Sequence, residues 1–173
     1  NAMERDKFIL SALVSNESGV LTRVSSLFGR RGYNIESLSV GETENPAISR
    51  ITIACLGDIY TRDQIVKQLK KLPDVKAVAL MAPESTVVRE LMLVKVNAEL
   101  ATRAQIHQTV DVFRAKVVDL MPSSMTIEIT GEKNKLDAFV SNLAPYGILE
   151  LCRTGVTAIG RSSTILTHEE REE

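Results

Sequence analysis

Residues 8–40 read FILSALVSNESGVLTRVSSLFGRRGYNIESLSV, and the small polar break NESG at 16–19 decides how the remainder is parsed. The run from Phe8 to Ser15 is short and mostly apolar, the pattern of a buried strand. After the break, Val20, Leu21, Val24, Leu27 and Phe28 recur at the spacing of one face of an amphipathic helix. Gly29 or Gly32 is expected to end that helix, because glycine takes the left-handed cap conformation cheaply. NIESLSVGET (34–43) alternates imperfectly and is expected as a strand, ENPA (44–47) as a turn, and ISRITIACLG (48–57) as the returning strand of a hairpin. Ile65, Val66, Leu69 and Leu72 predict a helix over 61–72, with Thr61 as its N-cap and Pro73 just past its end. VKAVALMA (75–82) closes the unit as a strand.

The same order then repeats. PEST (83–86) reads as a linker, ELMLVKVN (90–97) as a strand, and 101–115 as a helix carrying Ile106, Val110 and Phe113. KVVDLMP and SMTIEITG (116–122 and 124–131) read as a hairpin, 134–143 as a helix carrying Leu136, Phe139, Val140 and Leu143, and ELCRTGVTAIG (150–160) as one last strand. Both halves are therefore βαββαβ, an α+β class with two ferredoxin-like domains in tandem, over 6–82 and 87–161. Each such sheet is expected to leave a face or edge uncovered, and pairing across a two-fold axis is the expected remedy.

Composition removes several function classes. With 21 Lys and Arg against 22 Asp and Glu in 173 residues, there is no broad electrostatic footprint for nucleic acid or an acidic membrane. Aromatic residues are 4%, too few for the stacking platform by which sheets of this topology read RNA. No apolar run approaches the ~20 residues a membrane span needs, and no signal-peptide pattern precedes the first strand, so a cytoplasmic protein is expected. NAM at 1–3 reads as a vector remnant with an initiator methionine, and NES at 16–18 is a glycosylation triplet without a secretory route. Cys55 and Cys152 lack metal or redox spacing and are expected as buried thiols.

Catalytic chemistry finds no foothold either. His107 and His168 are the two histidines, one expected on the polar side of a helix and one in the acidic tail, and neither has a nucleophile and orienting group beside it. No metal site is expected from them, and neither GxGxxG nor GxxxxGK[ST] occurs. What remains is the strand-to-helix junction. The backbone N–H groups of Gly19, Val20 and Leu21 would be free donors at a helix N-terminus, a place that favours a carboxylate. Asn16 and Ser18 can cap the helix or bond a ligand, and on these residues alone the turn-plus-cap reading stands beside the ligand reading.

The segments NESGVLTRVSSLFGRRGYNIESLSV, SRITI, RELMLVKV and NKLDAF together closely resemble the small regulatory subunit of acetolactate synthase, over about Phe8 to Gly160. The resemblance implies that the first domain is an ACT domain, an amino-acid-sensing module. It implies a non-catalytic subunit that activates a catalytic partner, which condenses two pyruvates to acetolactate and carries thiamine diphosphate, Mg2+ and FAD, and that confers feedback inhibition by valine. No cofactor and no catalytic residue are expected in this chain itself. The implied effector site lies between two ACT domains of a homodimer, with Asn16, Glu17, Ser18, Gly19, Val20 and Leu21 facing Asn34 and Ile35 of the second chain. Leucine and isoleucine are further candidate effectors. A stand-alone ACT-type regulator of another target, and a small ferredoxin-like enzyme, are the rival readings.

Overall fold

Alternation along the first strands fixes the first layer. In the computed structural model, which describes residues 6–167, β1 (Asp6–Ser15) turns Phe8, Leu10, Ala12 and Val14 to one side. β3 (Ile48–Gly57) runs antiparallel to it, from Asp6 opposite Gly57 to Ser15 opposite Ile48, and adds Ile51, Ile53 and Cys55 to that side. Helices α1 (Val20–Arg31) and α2 (Ile59–Lys70) cover it with Val24, Leu27, Phe28, Ile65 and Leu69. With β2 (Asn34–Glu42) and β4 (Val75–Leu80) on the edges, the sheet order is β2-β3-β1-β4.

The second set repeats the plan. β5 (Thr86–Asn97), β6 (Lys116–Leu120), β7 (Ser124–Gly131) and β8 (Ile148–Arg153) take the order β6-β7-β5-β8. Helices α3 (Arg103–Val112) and α4 (Lys133–Leu143) supply Ile106, Val110, Leu136, Phe139 and Leu143 to a core shared with Met92, Val94, Val96, Met125, Ile127 and Ile129. Both sheets are antiparallel with flanking helices, the tandem βαββαβ architecture. No described helix is long and apolar enough to cross a membrane.

Element ends depart from expectation where polar chemistry overrides periodicity. Helix α2 starts earlier than 61, because Asp58 is its N-cap and accepts the Thr61 N–H at 2.7 Å. Helix α3 stops before 115, because Arg114 adopts a left-handed φ of 54° and the Ala115 N–H closes on Val110 O at 2.9 Å. α1 ends as the glycines suggest, with Gly32 at φ 65°.

The largest departure is the last strand. Residues 150–160 are not continuous: Gly155, at φ 79°, separates β8 from β9 (Thr157–Gly160). While β9 itself pairs β5 as a fifth strand of the second sheet, residues 156–167 pack with 6–87. There they meet the sheet face opposite the helices. The Val156 N–H donates to Ser37 Oγ at 3.3 Å and Arg50 Nη2 donates to Ala158 O at 3.0 Å, whereas the Arg161 N–H donates to Ser85 O, just before β5, at 2.8 Å. The chain's own tail thus holds part of that face.

Candidate effector site

Gly19 organises the junction between β1 and α1. It is the N-cap of α1 at φ 85°, a left-handed conformation that costs other residues roughly 1–2 kcal/mol, and no side chain caps the helix. The first-turn amides therefore face outward with no side-chain acceptor. Residues 16–19 are all exposed. Neither Asn16 nor Ser18 takes the capping role open to them in the sequence.

Asn16 is instead fixed to the β2–β3 connection. Its backbone N–H donates to Ala47 O and its Nδ2 donates to Pro46 O, both at 2.8 Å. That connection is itself locked: the Thr43 N–H donates to Ile48 O at 3.0 Å, and the Ala47 N–H donates to Asn45 Oδ1 at 3.0 Å. That bond uses one of the two Nδ2 donors, so the Asn16 side chain offers a ligand its second N–H and Oδ1, an acceptor.

Two residues missed in the sequence stand beside Gly19. The Arg23 guanidinium lies close enough that a Cβ on Gly19 would come within 3.0 Å of Nη1, and Arg23 Nε pairs with Asp74 Oδ2 at 2.6 Å. The hydrogen bond that Arg23 donates to Asp74 raises the Arg23 pKa above its ordinary value. The signal was present as a basic residue four positions after the N-cap, one helical turn on, but nothing in sequence joins it to Asp74. Glu17 adds a weaker favourable field at Arg23.

The apolar candidates divide by burial. Val20 is 3% exposed and belongs to the core, so its backbone N–H remains a candidate contact but its side chain does not; Leu21 is 44% exposed. Ile35 is half-buried against the core edge, opposite Cys55, and Asn34 is exposed opposite Leu56.

Asn34 and Ile35 do not meet 16–21 within one chain. Helix α1 separates them by 12 residues, about 18 Å at 1.5 Å per residue. The ladder agrees: Ser15 is opposite Ile48 and Asn34 opposite Leu56, eight β3 residues apart, or about 27 Å. A single amino acid cannot touch both groups of one chain. A cavity of about 250 Å³ lined by Lys70, Val75, Val78, Ile165 and Leu166 contains none of these residues.

Other reactive groups are inert or lie elsewhere. Burial pushes the Cys55 thiol up to about 12, with a smaller contribution from Glu36, so it stays protonated at neutral pH. Cys152, expected buried, is exposed because it lies on the edge strand β8. Among the described residues no group of three or more His, Cys, Asp or Glu is placed to hold a metal ion. His107 is half-buried on α3, and His168 lies outside the described residues.

Known proteins share this arrangement along nearly the whole chain. Residues 10–77 match the family model described as an AHAS small subunit-like ACT domain, and 89–162 match that of the small subunit of acetolactate synthase. A probable acetolactate synthase small subunit from Methanothermobacter thermautotrophicus is 49% identical, over 93% of this chain and 96% of its own length. The chain belongs to the acetolactate synthase small-subunit family. Within that family, the isozyme 3 small subunit of Escherichia coli is 43% identical, over 91% of this chain and 98% of its own. The crystal structure of the Thermotoga maritima small subunit superposes with a TM-score of 0.87 at 40% identity, covering 92% of this chain and 99% of that one.

Proposed function

We propose that this chain is the regulatory subunit of acetolactate synthase: it activates the catalytic subunit and confers feedback inhibition by valine bound between the ACT domains of two copies. The observation that carries the effector site is the separation just described. Gly19 and Asn34 lie at opposite ends of α1, so two chains related by a two-fold axis can each complete the other's half-site. The catalytic partner would carry thiamine diphosphate, Mg2+ and FAD.

The groups present suit an amino acid. The effector carboxylate would take the outward amides of Gly19 to Leu21, with the Arg23 guanidinium adding positive charge beside them. Its ammonium would donate to Asn16 Oδ1, and its side chain would lie between Leu21 and the partner's Ile35. Burying a valine side chain supplies roughly 1.5–3 kcal/mol, and charge-assisted hydrogen bonds about 1.5–3 each. Against the several kcal/mol lost in association, this yields about −4 to −6 kcal/mol, or roughly millimolar to tens of micromolar affinity. That range suits a metabolite sensor. A methylene discriminates by only about 1–3 kcal/mol, so leucine and isoleucine would compete in part.

Mixing the protein with an acetolactate synthase catalytic subunit and measuring acetolactate with and without valine tests the reading. Activation and its suppression by valine are expected, whereas no activation would favour a stand-alone regulator. Gly19→Asp should leave activation largely intact and weaken valine inhibition, because it sets a carboxylate where the effector's own belongs. Unchanged valine inhibition in that variant would count against this site.

A further inference from the structure

The route by which such a site would act on the second unit begins at β2. This strand opens with Asn34 and Ile35, bulges at Glu36, and resumes with Ser37 opposite Ala54. The bulge interrupts the ladder locally, and Ser37 is the first residue beyond it. Its Oγ accepts the Val156 N–H, and Val156 is only 3% exposed.

Arg50 makes the second fastening. Its Nη2 donates to Ser11 Oγ at 3.2 Å as well as to Ala158 O, tying β1, β3 and the tail together. Arg50 has no carboxylate partner among the described residues, and its Nε is buried without an acceptor. Desolvation lowers its pKa. Half-buried and bonded to neutral acceptors, Arg50 carries a desolvation cost at this fastening.

The chain just before Val156 is held tightly. Arg153 donates to Glu90 at 2.8 and 3.1 Å and to Asp137 at 2.7 Å, and the Thr154 N–H donates to Leu91 O at 3.0 Å. Between Thr154, bonded within the second unit, and Val156, bonded within the first, there is one residue, Gly155. The tail so fastened continues into β9, which pairs β5 of the second sheet.

We infer that Ser37 and Arg50 are the positioning residues of allosteric coupling: they fasten 156–161 to the first sheet so that movement of β2 is passed along the chain into the second unit. This rests on Asn34 and Ile35 belonging to the effector site. Two readouts separate the steps: calorimetry of valine binding to the free subunit, and valine inhibition of the reconstituted enzyme.

Ser37→Ala and Arg50→Gln should bind valine within about threefold of wild type and still activate, yet inhibit at least about fivefold less well, the low end of ordinary coupling factors. Ser37→Thr, which keeps the hydroxyl, should restore inhibition. In wild type, valine should change hydrogen exchange at 156–160, and in Ser37→Ala it should not. If Arg50→Gln fails to fold, Ser37→Ala removes only a hydroxyl and carries the test alone. Full inhibition by Ser37→Ala with valine binding intact would overturn the coupling role. Loss of valine binding in wild type would instead overturn the effector site on which it rests.

Discussion

Asn16 and Asn34 look equivalent on paper, two exposed amides near a candidate site, but only Asn16 has its Nδ2 tied down, by Pro46 O. Asn16→Asp would keep an acceptor and lose that anchor, whereas Asn34 stands at the head of β2 with its amide exposed. The same contrast governs the caps. Gly19 serves α1 without a side chain, leaving the amides open, while Asp58 closes the end of α2 with a 2.7 Å bond to the Thr61 N–H. Asp58→Ala should therefore cost about 1 kcal/mol of stability, read as a shift in the urea midpoint. Substituting Ser18, which caps nothing, should leave that midpoint within about 0.5 kcal/mol of wild type.

Elements with strong periodicity were legible in the sequence, and those decided by polar pairing were not. Val20, Val24, Leu27 and Phe28 gave α1 nearly to the residue, and glycines 29 and 32 bracketed its end. Helix α2 was placed too late because Ile59 and Tyr60, both exposed, obscure a start set by Asp58. In the site, the contiguous 16–21 segment was readable, but Arg23–Asp74 joins positions 51 residues apart, and no local pattern encodes such a pair. The same holds for Glu90, Asp137 and Arg153. The Arg153 hydrogen bond, with help from Lys133, holds the Asp137 carboxyl below its ordinary value. A carboxylate lowered on folding contributes stability above its unfolded pKa and loses it as pH falls through the folded one. The urea-midpoint difference between wild type and Asp137→Asn should accordingly be present at neutral pH and vanish below the ordinary carboxylate range.

For the whole molecule, the tandem repeat conceals that the first unit is discontinuous, interrupted by 88–155 and resumed at 156. Residues 6–87 alone should be incomplete, since Ser11, Thr52 and Ala54 lie buried on the face that Val156 and Ala158 help to hold. A fragment in which a glycine-serine linker replaces 88–155 should melt above one that ends at 87. Equal melting temperatures would show that the tail adds nothing to that unit. The repeat itself was plain in the sequence, but the return of 156–161 hung on Gly155, whose positive φ breaks an otherwise strand-like run.

That interruption also sets an order in time. As the chain leaves the ribosome, β1 to β4 emerge first, yet the residues that fasten to Ser37 and Arg50 lie about 76 positions beyond the end of β4. At roughly 5–20 residues per second, the early strands wait about 4–15 seconds for them. The second unit, being continuous, can close within that interval. The half of the protein born first is thus finished last, and a nascent chain stalled before residue 156 would present an unsealed sheet to any chaperone or sister chain nearby.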